Sequence, residues 1–321
     1  MKKVLIIAPK YMGYMEKVAD ELRKNNNILV TDIHIPEYKY STLSLKVKNF
    51  FLKKIGEDLK FEYRKKYIKK VIGNENFDTI LIVRPDMLSF KNLEQLKSRT
   101  PLLKTYFFDG INHYRRKLKT IKYFNEIYSF EPGDCEKYGF KPITNFIYEE
   151  NDINSENKKL KYCVFNISSY DKKRFPVLLK ISSILRDQRK DFKIIVKTNK
   201  KVNTYNLIEI IKEPMSFKDI KLILMETICM LDLGQIRKHR GLTFRVFEAM
   251  GFHKKLITNN PDIVNYDFYD PQNILIIDEN NINIPDSFLY SSYNPIPKKV
   301  FEKYTLNTWV KTVFKEVYTN K

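Results

Sequence analysis

The residues best equipped for chemistry crowd one stretch, Leu231 to Asn260, which reads as strand, basic loop, helix, strand. Arg237, Lys238, His239 and Arg240 lead into the turn Gly241-Leu242-Thr243, and Arg245 follows in the first turn of the helix. Thr243 suits an N-cap, with further amino-terminal N–H groups of the helix directed outward. Such an end is an anion site. Cations there oppose the helix dipole at about 0.3–1 kcal/mol each, so their accumulation makes sense around a multiply charged anion such as a diphosphate. Gly241, lacking a Cβ, lets a ligand approach the backbone of the turn, with Leu242 beside it. Arg245 and Glu248 are three apart on one helix face, the arginine suited to phosphate and the carboxylate to ribose hydroxyls. A solvated i,i+3 ion pair is the plainer reading of the same spacing. The following strand ends on polar Thr258-Asn259-Asn260, which adds Asn259 to the candidates.

Strand ends are where α/β sheets hold ligands. By that rule Ser168, with Arg174 just beyond it, and Lys197 join the anion-binding set, although a solvated face explains Arg174 and Lys197 equally well. The elements that position these residues come in two alternating series. Lys3–Ala8, Ile28–Ile33, Thr79–Arg84, Thr105–Phe108, Ile127–Phe130 and Asn145–Tyr148 read as strands of the first, with a helix over Tyr14–Asn25. In the second, Tyr162–Ile167, Phe192–Val196, Thr227–Leu231, Leu256–Thr258 and Ile274–Ile277 are strands. Phe175–Arg186, Phe217–Met225 and Thr243–Met250 are its helices. Residues 149–159 hold one apolar residue and read as a linker. The expectation is an α/β chain of two Rossmann-like domains, 1–150 and 160–321, facing across a cleft. An amphipathic C-terminal helix, Leu306–Tyr318, carries the only Trp and can pack back on the first domain.

Composition narrows the field. The 321 residues are 43% hydrophobic and 14% aromatic, enough apolar material for packed cores. The formal net charge of +20 is shared between both halves, which points to an anionic substrate or surface or to biased composition, not to a basic tail. Three scattered cysteines, Cys135, Cys163 and Cys229, predict a disulfide-free cytoplasmic chain. The apolar run Val4–Ala8 is too short for a signal sequence, and no stretch suits a membrane span. There is no GxGxxG, no GxxxxGK[ST], no GxSxG, no HExxH and no pair of aspartates two apart. A dinucleotide fold, an ordinary NTPase, a serine hydrolase and a metal–diphosphate site are thereby disfavoured.

Gly241 to Met250, Lys254 to Asn260 and Tyr266 to Ile274 together resemble the donor-binding region of GT-B-fold glycosyltransferases, in particular bacterial enzymes of capsule, lipopolysaccharide and exopolysaccharide assembly. Ile127 to Phe140 is similar to that family's segment leading towards the interdomain crossing. The run Arg237–Arg240 departs from it, where small or neutral polar residues are usual. The resemblance implies a nucleotide-sugar donor on the second domain, a glycan or lipid-linked acceptor on the first, and no metal or other cofactor. The acceptor's proton then needs a base. Asp109 and His113, in Phe107-Phe108-Asp109-Gly110-Ile111-Asn112-His113, are the candidates, and Arg84-Pro85-Asp86 suits acceptor binding. A non-hydrolysing nucleotide-sugar epimerase or a polyol-phosphate transferase of similar fold is the enzymatic alternative. A basic membrane- or nucleic-acid-binding protein is the other, but no nucleic-acid motif supports a nucleic-acid partner. Residues 46–70 hold ten Lys/Arg against Glu57, Asp58 and Glu62, interleaved with Phe50, Phe51, Phe61, Tyr63 and Tyr67. They suit either the inner face of an anionic membrane or a core-facing aromatic row under solvated lysines.

Overall fold

A computed structural model describes residues 1–10, 13–54, 58–111, 115–151, 160–234 and 240–318. The chain forms two compact units, Met1–Ile143 with Leu306–Lys321, and Thr144–Thr305.

The first unit has strands β1 (Lys2–Ala8), β2 (Ile28–His34), β3 (Thr79–Val83), β4 (Leu103–Phe107), β5 (Glu126–Ser129) and β6 (Lys141–Pro142). They form one parallel sheet in the order β2-β1-β3-β4-β5-β6. Its helices are α1 (Tyr14–Arg23), α2 (Leu43–Lys54), α3 (Leu59–Ile72), α4 (Phe90–Lys97) and α5 (Pro132–Tyr138). Every residue of β3 and β4 is buried, as expected of a parallel sheet covered on both faces.

The second unit has β7 (Tyr162–Ser169), α6 (Arg174–Asp187), β8 (Phe192–Lys197), β9 (Glu209–Ile211), α7 (Phe217–Met225), β10 (Thr227–Asp232), α8 (Phe244–Gly251), β11 (Lys255–Thr258), β12 (Ile274–Ile276), α9 (Asp286–Tyr290) and α10 (Lys298–Lys303). The sheet is parallel, in the order β12-β11-β10-β7-β8-β9. Val164, Leu178, Ile181, Ile194, Val196, Leu231 and Ile257 form its core. From β7 the chain builds outward to β8 and β9, then returns to lay β10, β11 and β12 on the other side. The strand order therefore reverses between β7 and β10, and a doubly wound sheet has its ligand crevice at the carboxyl ends of such a pair.

Two expectations change. Asn145–Tyr148 is not a sheet strand. Only Ile147 makes a bridge, to Thr305, because Phe146, Ile147 and Tyr148 are buried as a connection and not as a sheet edge. The passage between units also falls at 143/144, ahead of residues 149–159, of which 152–159 lie outside the described residues. The reason is that residues 145–151 already belong to the second unit: Ile147 N donates to Tyr304 O at 2.8 Å and Asn151 N to Gly251 O at 2.8 Å.

The C-terminal stretch forms α11 (Leu306–Val313) and α12 (Lys315–Tyr318) within the first unit. Trp309 meets Tyr106 of β4 edge-on at 5.1 Å. The fully buried Lys104 donates to Val313 O and Glu316 Oε2, both at 2.6 Å.

Candidate functional site

Strand β10 delivers Asp232 to the carboxyl edge of the second sheet, beside the end of β7. The carboxyl is buried, and burial pushes its pKa up. A hydrogen bond from the Thr243 hydroxyl and the guanidinium groups of Arg174 and Arg245 oppose that shift, while Glu248 adds to it. Asp232, Thr243, Arg174, Arg245 and Glu248 therefore form one electrostatic cluster at the reversal of the strand order.

Hydrogen bonds and ion pairs, some local and some from distant parts of the chain, hold the members of this cluster. Arg174 opens α6, and its guanidinium donates to Leu233 O at 3.2 Å and to Ser169 O. One side chain thus ties together the chain ends beyond β7 and β10. Its Nε is buried with no partner among the described residues. Burial lowers the Arg174 pKa against the pull of Asp232 and Asp171. Thr243 is the N-cap of α8, extended at φ −72° and ψ 165°, and its Oγ1 accepts from Arg245 N at 3.1 Å. Arg245 forms an ion pair with Glu248 across one helical turn. Glu248 is 2% exposed and also accepts from the Tyr148 hydroxyl at 2.7 Å.

The other candidates divide. Ser168 donates to Asn166 Oδ1 at 3.2 Å, and Asn166 donates to Leu231 O at 2.7 Å, so both sit at the β7–β10 seam. Lys197 ends β8 on the far side of β7, opposite Ser169. Arg240 is turned to Asp262, with Nε to Oδ2 at 2.9 Å. Gly241 and Leu242 are buried, and Leu242 O accepts from Asn145 Nδ2 at 2.8 Å. Gly241 is not among the glycines with positive φ, so its backbone conformation alone does not require glycine. Asn259 pairs its amide with protein partners. Its Oδ1 accepts from Gly234 N at 2.8 Å, and its Nδ2 donates to Gly234 O at 3.1 Å and to Glu279, which clips β11 to the loop after β10. Arg237, Lys238, His239 and His113 lie outside the described residues.

In the first unit, Asp109 stands just past β4. Its carbonyl accepts from the buried Lys117 Nζ at 2.8 Å. Burial lowers the Lys117 pKa to about 8, although the carboxylates of Asp109 and Asp86 pull it upward. Arg84, just past β3, adopts φ 62° and pairs in a fork with Asp86 at 2.9 and 2.8 Å. Among the described residues no three His, Cys, Asp or Glu side chains gather as a metal site.

Sequence reasoning missed Asp232, Tyr148, Asn166 and Lys117. The strand-end rule that selected Ser168 and Lys197 applies equally to Asp232, which directly follows the apolar Thr227–Leu231. Taken together, the second-unit cluster offers two guanidinium groups and a capped helix end around a strand junction. That chemistry suits a phosphate-bearing ligand.

No protein-family model matches the sequence, and no curated protein matches it. Solved structures do share the fold. The alpha,alpha-trehalose-phosphate synthase (UDP-forming) from Burkholderia vietnamiensis superimposes with a TM-score of 0.60 at 9% identity, over 99% of this chain and 100% of that one. A UDP-N-acetylglucosamine 2-epimerase gives 0.53 at 12% identity, over 100% and 98%. An alpha1,3-fucosyltransferase gives 0.50 at 10% identity, over 100% and 91%. The chain thus has the two-domain α/β fold of the GT-B type.

Proposed function

We propose that the protein is a glycosyltransferase that moves a sugar from a nucleotide-sugar donor to a glycan or lipid-linked acceptor. The observation that carries this reading is the convergence of Arg174, Arg245 and the Thr243-capped end of α8 where the strand order reverses. The two enzymes of similar fold named for UDP-linked reactions support a nucleoside diphosphate as the anion.

In the proposed reaction the donor diphosphate lies at the amino end of α8. The bond between the anomeric carbon and the diphosphate oxygen breaks, and the acceptor oxygen bonds to that carbon. Arg245 and the α8 N–H groups stabilise charge on the leaving nucleotide, the kind of preorganised electrostatic help that lowers barriers most. No metal takes part. The acceptor proton passes to Asp109, with His113 as the alternative base. The resemblance around Gly241–Met250 supports a role in bacterial surface polysaccharide assembly, on the cytoplasmic side of the membrane. Among the described residues no helix is long and apolar enough to cross a membrane.

Thermal unfolding with UDP, GDP, CDP and CMP tests the donor site. One nucleotide is expected to raise the melting temperature, with chelator present or absent. No stabilisation by any of them refutes the reading. The likeness to the 2-epimerase favours a second reading, in which the same donor site serves epimerisation. Donor turnover that proceeds without any added acceptor would favour that reading.

A further inference from the structure

Helix α2 has its apolar face outward. Leu43, Val47, Phe50 and Phe51 fall at i, i+4, i+7 and i+8, one stripe of the helix, and are 76%, 50%, 60% and 58% exposed in the whole chain. Only Asn49 on this helix is buried. That side chain anchors α2 through polar bonds, from Nδ2 to the Tyr40 hydroxyl at 2.7 Å and to Asp58 at 3.1 Å, and by accepting from Leu59 N at 2.7 Å. The Asn49 amide and an ion pair from Lys53 to Asp58 at 3.6 Å thus moor the helix, while its largest apolar groups meet solvent. Exposed lysines flank the stripe, Lys46 and Lys53 on one side and Lys48 on the other, and Lys54 lies over the rings of Phe50 and Phe51 at 5.2 and 5.5 Å. Helix α3 repeats the pattern. Tyr63, Tyr67 and Val71 are exposed at i, i+4 and i+8, with Lys60 half-buried and Lys66 and Lys70 exposed.

We infer that α2 and α3 dock the protein on an anionic lipid bilayer, with the α2 stripe in the acyl boundary and the lysines at the lipid phosphates. The chemistry is layered as a bilayer is layered. Aliphatic and phenylalanine groups of α2 suit the acyl boundary, the tyrosines of α3 suit the glycerol depth, and the ammonium groups of both helices suit the phosphates. Each lysine near an anionic surface adds attraction, and together they account for a preference for acidic lipid. A core-facing aromatic row does not describe Phe50 and Phe51. The inference uses no residue of the donor site, so it stands or falls separately from the glycosyltransferase reading.

Sedimentation of the full-length protein with phosphatidylcholine vesicles, with and without phosphatidylglycerol, tests it. Binding is expected only with phosphatidylglycerol, and raising the salt concentration should weaken it. The double substitution Phe50→Ser with Phe51→Ser should reduce vesicle affinity by about tenfold or more. It should leave the melting temperature and any nucleotide-induced shift unchanged. Lys46→Glu with Lys48→Glu should do the same through charge. Absence of sedimentation with either vesicle overturns the inference. So does binding that the Phe50 and Phe51 substitutions leave intact, or a dimer in light scattering that those substitutions dissolve.

Discussion

Glu248 commits one carboxylate oxygen to the Tyr148 hydroxyl and the other to Arg245, and its side chain is covered by protein. Its route to a ligand therefore runs through Arg245, which it aims. Glu248→Ala should weaken nucleotide binding by about tenfold or more, on the scale of about 1.5–3 kcal/mol for a charged hydrogen bond. Calorimetric titration of the folded variant measures this. If Glu248 acts by orienting Arg245, the double variant with Arg245→Ala should bind no worse than Arg245→Ala alone. Additive losses would instead mean that the carboxylate touches the nucleotide itself. The spacing of Arg245 and Glu248 was legible in the sequence because a helix repeats locally, and the capping role of Thr243 follows from its position before that helix. Tyr148 was not legible as a partner, because it lies 100 residues from Glu248 and no local pattern links them. Asn259 looked available because it ends a strand, but the nearby Gly234 backbone takes both ends of its amide.

Elements fix these side chains by close approach as well as by pairing. Gly251 ends α8 where residues 147–149 pass over it. A Cβ there would stand 2.2 Å from Glu149 O and 2.8 Å from Ile147 Cγ2. The obstruction includes backbone, so relief requires moving the 145–151 connection itself. Gly251→Ala should destabilise the second unit by about 1–3 kcal/mol, as overpacking does, and urea unfolding would register it. An unchanged midpoint would mean that the connection yields freely. In the first unit, the starts of the parallel strands β4, β5 and β6 are joined by charge: Glu126 accepts from Lys141 and pairs with buried Lys104 at 3.0 Å. Burial alone would raise the Glu126 pKa, but the hydrogen bonds from Lys141 and Lys104 prevail and bring it from 4.5 to about 2. A depressed carboxyl stabilises the fold above its unfolded pKa, so this contribution is present above about pH 4.5 and is lost as pH falls towards 2. Glu126→Gln should flatten that part of the acid-unfolding curve, and an identical curve would refute the coupling. Periodicity revealed most strands and the helices with a marked apolar face. It placed Asn145–Tyr148 in a sheet because four residues of connection buried for packing have the same composition as a short strand.

At the scale of the whole molecule, the chain leaves the first unit after Ile143 and re-enters it at Leu306. The second unit is an insertion, and residues close to its two ends meet where Ile147 bridges Thr305. Composition signals neither crossing. The polar run at 149–159 drew the boundary downstream, and Tyr304-Thr305-Leu306 has no break at all. The amphipathic pattern of Leu306–Tyr318 did show a helix in need of a covered face, and Trp309 and Glu316 meet that need against Tyr106, Thr79 and Lys104. The two units therefore differ in what truncation does to them. A fragment of residues 144–305 keeps its sheet, its core and the cluster around Asp232, and its near-terminal segments are already paired. It should fold alone, unfold in one cooperative transition, and keep the nucleotide-induced stabilisation of the full chain. A chain cut after Thr305 instead uncovers Tyr106 and removes two of the acceptors of buried Lys104, Val313 O and Glu316. Stripping partners from a buried charge costs several kcal/mol, on the order of 3–5 when a pair is fully broken. The truncated first unit should therefore lose its own transition in calorimetry while the second unit's transition survives. A 1–305 chain that retains both transitions would show that the C-terminal helices are an accessory to the first sheet and not a part of its core.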